Sequence, residues 1–220
     1  MSGFFSVPKD LVKAADEQTM GFSGLKSAVY TAKIVAAYIV ESGSSDAKAL
    51  TIQYQVDGNE RTFYESLWYQ EGRGLNTYNC KKTGKELLLP SFTTMLDFFS
   101  AAGVDIDAVS PEELIVKHFG AENKYPVFTD FTGKVMGLGI RHLLKDDYKN
   151  STDVDDTQTI QLFINDEGKS GGELRDAKNA YSVAAWEKMI AKKPDLDQRR
   201  DSKGGAAATP TETPVAAKSW

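Results

Sequence analysis

A single cysteine and only two histidines stand in a chain of 220 residues, and their scarcity narrows the chemistry at once. Cys80 has no second thiol to pair with, so no internal disulfide is possible and a thiolate metal cluster is not expected. A reducing, intracellular compartment follows as the default. His118 and His142 are far apart and lack H-x-x-x-H spacing, which points to structural or surface roles rather than a metal pair. No apolar run approaches the roughly 20 residues of a membrane span. The N-terminal stretch MSGFFSVPKDLVKAADEQ turns charged too early for a signal peptide.

Phosphate cradles and ion loops are missing as well. No G-x-x-x-x-G-K-[ST] motif occurs, and Gly72-Arg73-Gly74 and Thr83-Gly84-Lys85 read as single turns. Asp153, Asp155 and Asp156 lack the glycine and distal glutamate of an EF-hand loop. They read as a solvated acidic loop in preference to a two-metal site. Cys80 lies among Lys81, Lys82 and Lys85, which would lower its pKa, but no base accompanies it. The expectation is a non-enzymatic protein with no cofactor and no metal.

What the chain does have is concentrated between Thr62 and Phe92. An aromatic strand with Phe63, Tyr64, Trp68 and Tyr69 runs into a glycine-broken loop with Arg73, Tyr78, Lys81, Lys82 and Lys85. From Gly72 to Lys85 there are four basic residues (Arg73, Lys81, Lys82, Lys85) and no acidic one, in a chain of formal net charge -5. Bases stack on aromatic faces at roughly 1–3 kcal/mol each, and Lys and Arg follow phosphates, so the pattern suits a single-stranded nucleic acid. Phe63, Tyr64 and Trp68 suit a core equally well. The acidic total does not oppose the reading, because affinity depends on the local patch.

Around this stretch the patterning is mostly β. Ser27 to Glu41 is β-branched and aromatic, with Tyr30, Ala32, Ile34, Ala36, Tyr38 and Val40 on one face. Leu50, Ile52, Tyr54 and Val56 alternate with Thr51, Gln53 and Gln55, which predicts a half-buried strand. Asp57-Gly58 turns it into a third strand over about Arg61 to Tyr69. A helix is predicted after Pro90, with Ser91 as cap, a Met95, Leu96, Phe98, Phe99 stripe and Gly103 as its end. Ser110-Pro111-Glu112-Glu113 offers a second helix start. A fourth strand is expected over Lys134 to Leu144, where Gly137, Gly139 and Arg141 alternate with Met136, Leu138, Ile140 and His142. The glycines suit either a barrel bend or close approach of a ligand. A fifth strand follows over Thr157 to Ile164 with Ile160, Leu162 and Ile164 inward, then an amphipathic helix over Val183 to Lys192. From Pro194 the composition turns to that of a disordered tail ending in Trp220.

The expected class is therefore mainly β with helical insertions. It reads as an OB-like, five-stranded, partly open barrel with a C-terminal helix and a disordered tail. Residues 1–26 would be an N-terminal extension, 27–193 the domain with a helical insertion at about 90–120, and 194–220 the tail.

The run FYESLWYQEGRGLNTYNCKKTGKELLLPSFTTMLDFF resembles a segment of phage-encoded single-stranded DNA-binding proteins of the short-tailed-phage type. The shared succession is an aromatic strand with E-x-L-W, a G-x-N-x-Y, a K-K-T-G-K and an L-P-x-F entering a helix. GGELRDAKNAYSVAAWEKMIAKK is similar to their C-terminal region. The likeness is best over Tyr64 to Phe99 and fair around Leu174 to Lys193. It implies a protein that coats single strands during phage DNA replication or recombination, in the cytoplasm of the infected bacterium. Tyr64, Trp68 and Tyr78 would then stack bases, while Arg73, Lys81, Lys82, Lys85 and Arg141 neutralise phosphates. Trp220 would dock replication or recombination partners. Here the chain departs from the family, because the tail has four acidic residues (Asp195, Asp197, Asp201, Glu212) balanced by four basic ones (Arg199, Arg200, Lys203, Lys218). Two other readings stay open: a protein-interaction or assembly module using the same loop, and a strand-annealing mediator.

Overall fold

The computed structural model describes residues 25–72, 74–146, 154–175 and 182–198. Arg73, Asp153 and Trp220, and most of both expected extensions, lie outside them. The protein is mainly β, built on a large antiparallel sheet that does not close. Strand β1 (Ala28–Glu41) pairs antiparallel with β2 (Lys48–Val56), and β2 with β3 (Phe63–Gln70), giving the expected meander. The other side of β1 pairs with β8 (Val135–Asp146), and β8 with β9 (Val154–Ile164). The order across this sheet is β3-β2-β1-β8-β9.

The 14 residues of β1 are too long for one uninterrupted face. A bulge between Ile34 and Ala36 flips the pleat, as an extra residue must. Ala32 and Ile34 before it, and Ala37 after it, enter the main core, while Ala36 and Tyr38 turn to the opposite side. The single even-numbered face expected of this strand is thus divided between two packing environments. In β9 a second irregularity, between its Ile160 and Leu162 pairings, has a similar effect. Ile160 and Phe163 enter the main core, and Leu162 lies on the other face beside Gly139. A Cβ at Gly137 would sit 3.0 Å from the Ile164 side chain and one at Gly139 2.9 Å from Leu162, so these glycines make room for β9.

Helix α1 (Pro90–Ala101) closes the inner face of the meander. It starts with Pro in its first turn, where the missing N–H costs nothing, but Ser91 does not cap it. The Ser91 hydroxyl instead donates to the Trp68 carbonyl, fastening the helix start to β3. Phe98 stacks on Phe131 at 4.4 Å and meets Phe163 at 5.0 Å, filling the core beneath Ile34, Ile52 and Leu138. Phe131 comes from a 3-10 turn (Thr129–Phe131).

The helix expected from Ser110 is not formed. Glu112–His118 is strand β6, paired with β7 (Ala121–Val127). Leu114, Ile115 and Val116 favour extension, and Phe119-Gly120 closes a two-residue turn with φ of 45° and 91°. Positive φ at both central positions matches the right-handed twist of paired strands. The insertion at about 90–120 is therefore helical only in its first half.

Helix α2 (Gly171–Arg175) packs on α1, where Arg175 Nη2 reaches Asp97 Oδ1 at 2.7 Å. Helix α3 (Val183–Lys192) has the expected bounds, is capped by Ser182, and buries Trp186 and Ile190. Residues 194–198, expected within a disordered tail, are ordered. Leu196–Asp197 forms β10 parallel to β8, and Asp195 Oδ1 lies 2.9 Å from His142 Nδ1. Among the described residues no helix is long and apolar enough to cross a membrane.

Candidate nucleic-acid interface

Alternation along β3 separates its side chains by role. Phe63 and Leu67 enter the core, whereas Tyr64, Ser66 and Trp68 point to the opposite face. Their partners on β2 are Gln53, Thr51 and Ala49. Expected to be solvated, this side of β2 is buried instead, with Thr51, Gln53 and Ala49 all covered. The reason is a pair of hydrogen-bonded links. Thr51 Oγ1 lies 3.0 Å from Ser66 Oγ, and Gln53 Nε2 donates to the Tyr38 hydroxyl at 3.0 Å and to the Lys117 carbonyl at 2.8 Å. Lys117 belongs to β6, so Gln53 ties the β6–β7 hairpin down over the sheet.

The tie extends through Tyr38, whose hydroxyl lies 2.6 Å from Nδ1 of His118. Gln53 Nε2 can only donate, so the Tyr38 oxygen accepts from it and its O–H donates to an unprotonated Nδ1. Burial pushes the Tyr38 pKa up to about 12 and holds His118 below its usual value, which keeps both in the neutral forms this chain needs. Tyr125 lies against Tyr38 at 5.0 Å, and Tyr64 and Phe119 pack with tilted rings at 4.6 Å. Phe119 is 72% exposed and Trp68 46% exposed. Ala49 opposite Trp68 is too small to cover the indole.

Immediately after β3 comes the basic segment, which is a second hairpin. Strands β4 (Thr77–Asn79) and β5 (Glu86–Leu88) pair only with each other. Cys80 N donates to Lys85 O at 2.8 Å just before the turn, where Gly84 takes φ 65°. Lys81, Lys82 and Lys85 are exposed on this arm, and none is ion-paired with another described residue. Tyr78 is exposed beside them, as are Leu75, Leu87 and Leu88. The Cys80 thiol is held below its usual pKa by the Thr83 hydroxyl first and then by backbone amides, not by the lysine charges.

The structure thus places Tyr64 and Trp68 on one strand face, with Tyr78, Lys81, Lys82 and Lys85 on the arm that follows it. Arg141 does not join them. It is only 7% exposed, and its Nη2 donates to the Lys193 carbonyl at 3.2 Å. The segment leading from α3 into β10 takes up the Arg141 guanidinium, where an open, phosphate-binding arginine was expected. Arg73 and Trp220 lie outside the described residues. Glu65, on the core side of β3, accepts from Ile160 N at 3.1 Å and Thr159 Oγ1 at 3.2 Å. The β6–β7 hairpin with Phe119 was missed by the sequence expectation. Its signal was the X-Gly pair Phe119-Gly120 between two segments of matched length, obscured by the helix-start pattern at Ser110-Pro111-Glu112-Glu113.

Compared with known proteins, the chain matches no family model, no curated protein and no solved structure.

Proposed function

We propose that the protein binds single-stranded DNA without sequence preference, as a non-enzymatic coating protein of phage DNA replication or recombination. The observation that carries this is the half-exposed Trp68 on the outer face of β3, one short connection from an arm bearing three exposed lysines. An uncovered indole beside cationic side chains offers both halves of single-strand binding: stacking for the bases and charge for the phosphates.

We read the strand order β3-β2-β1-β8-β9, with α1 lying between β3 and β8 in the chain, as that of an opened OB-like barrel, and this reading favours the same function. In such a barrel the second and third strands face the oligonucleotide, and here the third carries Tyr64 and Trp68. The sequence resemblance over Tyr64 to Phe99 points the same way.

The exposed Leu75, Leu87 and Leu88 favour a second reading, in which the β4–β5 arm docks on a protein. Titration of tryptophan fluorescence with oligo-dT, alongside anisotropy of a labelled strand, separates the two. Trp186 is buried, so among the described tryptophans Trp68 is the one placed to report. Saturating quenching that is lost in Trp68→Phe, with a salt slope near −3 for about four phosphate contacts, supports DNA coating. Flat fluorescence and flat anisotropy at low salt overturn it.

A further inference from the structure

We propose that Phe119, at the tip of the β6–β7 hairpin, forms a nucleobase-stacking site of its own, with Tyr64 as its backing ring. The inference rests on the single-strand reading and redraws its aromatic contacts. Tyr64 is half-buried and its ring is covered by Phe119 at 4.6 Å and 31°. An unpaired base therefore meets Phe119 first.

Folding alone does not account for this residue. Phe119 is the one non-glycine residue with positive φ among the described residues, at 45°. Asn, Asp and Gly are the usual occupants of such a turn, and a bulky residue there is strained. Its ring is also left 72% in solvent, so burial does not offset that strain as it would in a core. Strain and an open apolar ring at one position are the features expected of a binding contact.

The ring is nevertheless held in place. Tyr64 lies behind it, the His118 ring stands 4.5 Å away at 67°, and the hairpin is anchored through Gln53 to the Lys117 carbonyl and through His118 to Tyr38. A platform fixed before binding loses little freedom when a base lands on it. Tyr64 and Trp68 are four residues apart on one strand, about 13 Å. That is several base-stacking intervals of about 3.4 Å, so the two platforms would hold different nucleotides of one strand. The hairpin itself carries Lys117 and Lys124 against Glu112, Glu113 and Glu122. It therefore supplies stacking rather than phosphate neutralisation.

The test uses the full chain with Phe119→Gly, Phe119→Asn and Phe119→Trp, read by anisotropy on labelled oligo-dT at several salt concentrations and by thermal melting. Glycine and asparagine both accept the left-handed turn, so Tm should hold or rise. Affinity should fall about 5- to 150-fold, the loss of one base stack, with an unchanged salt slope. Phe119→Trp should keep affinity and add quenching. Wild-type binding that neither Phe119→Gly nor Phe119→Asn weakens overturns the site while leaving the single-strand reading intact. A fall in Tm parallel to the binding loss in both variants assigns Phe119 to structure and also overturns it. Absence of wild-type binding removes the single-strand reading and this site together.

Discussion

The Glu65 carboxylate accepts a hydrogen bond from the backbone amide of Ile160 at 3.1 Å, across the open seam between β3 and β9. These two edge strands do not pair, so the side chain does locally what a ladder would do. Its second oxygen takes the Thr159 hydroxyl at 3.2 Å. Burial outweighs both bonds and pushes its pKa up to about 7.

A raised carboxyl pKa favours the protonated, folded form. The stability Glu65 contributes is fully present below its unfolded value of 4.5 and is lost as pH rises through about 7. Glu65→Gln mimics the neutral acid, accepting from Ile160 and donating to Thr159. It should match the wild type at pH 4 and exceed it at pH 8 by on the order of 3 kcal/mol. Urea unfolding at the two pH values checks this; equal curves at pH 8 refute it.

The Tyr38–His118 bond predicts the opposite slope. A histidine held below its usual pKa contributes stability that is present above about 6.5 and is lost as pH falls through its lower folded value. Protonation puts a hydrogen on the Nδ1 that accepts from Tyr38. Amide exchange in residues 112–127 should accelerate on acidification before the rest of the sheet responds. Tyr38→Phe, which strands His118 Nδ1 and removes one Gln53 partner, should cost about 1–3 kcal/mol. Uniform exchange across all strands would contradict the prediction.

Lys81→Ala with Lys82→Ala should weaken binding to every single-stranded sequence alike. With about −0.7 in slope per phosphate contact, the pair should flatten the salt dependence by about 1.4. An unchanged slope in anisotropy titrations would take the β4–β5 arm out of the phosphate track.

Gly171→Ala tests the packing of α2 on α1. A Cβ there would sit 2.0 Å from the Asp97 carbonyl oxygen, backbone that has no rotamer with which to yield. Loss of more than about 3 kcal/mol, or failure to fold, is expected, because relief requires moving one helix off the other. Near-wild-type melting would show that the two helices separate easily.

Much of the scaffold was legible in the chain because local patterning is strong there. The meander follows from alternation in β2 and from Asp57-Gly58, and the bounds of α3 follow from an amphipathic stripe behind a Ser182 cap. That Tyr64 and Trp68 share a face follows from the two-residue period of a strand. Other features depend on partners distant in sequence. Ser110-Pro111-Glu112-Glu113 carries a helix-start signal, but pairing with Ala121–Val127 and the hold of Gln53 on Lys117 keep the segment extended. Arg141 has the alternation of an outward residue, yet the chain from α3 into β10 buries it.

By itself the sequence determined that the segments of β1, β2, β3, β8 and β9 extend, where the meander turns, and that aromatic and basic residues adjoin between Phe63 and Lys85. Those are local properties, set by side-chain period and turn chemistry. Only the tertiary structure decided that Phe119 stands over Tyr64, that Glu65 spans the seam to Ile160, and that Arg141 is withdrawn from solvent. Such relations arise when strands far apart in the chain are packed together. Bulges then set which face each side chain takes, and no short window of sequence encodes the outcome.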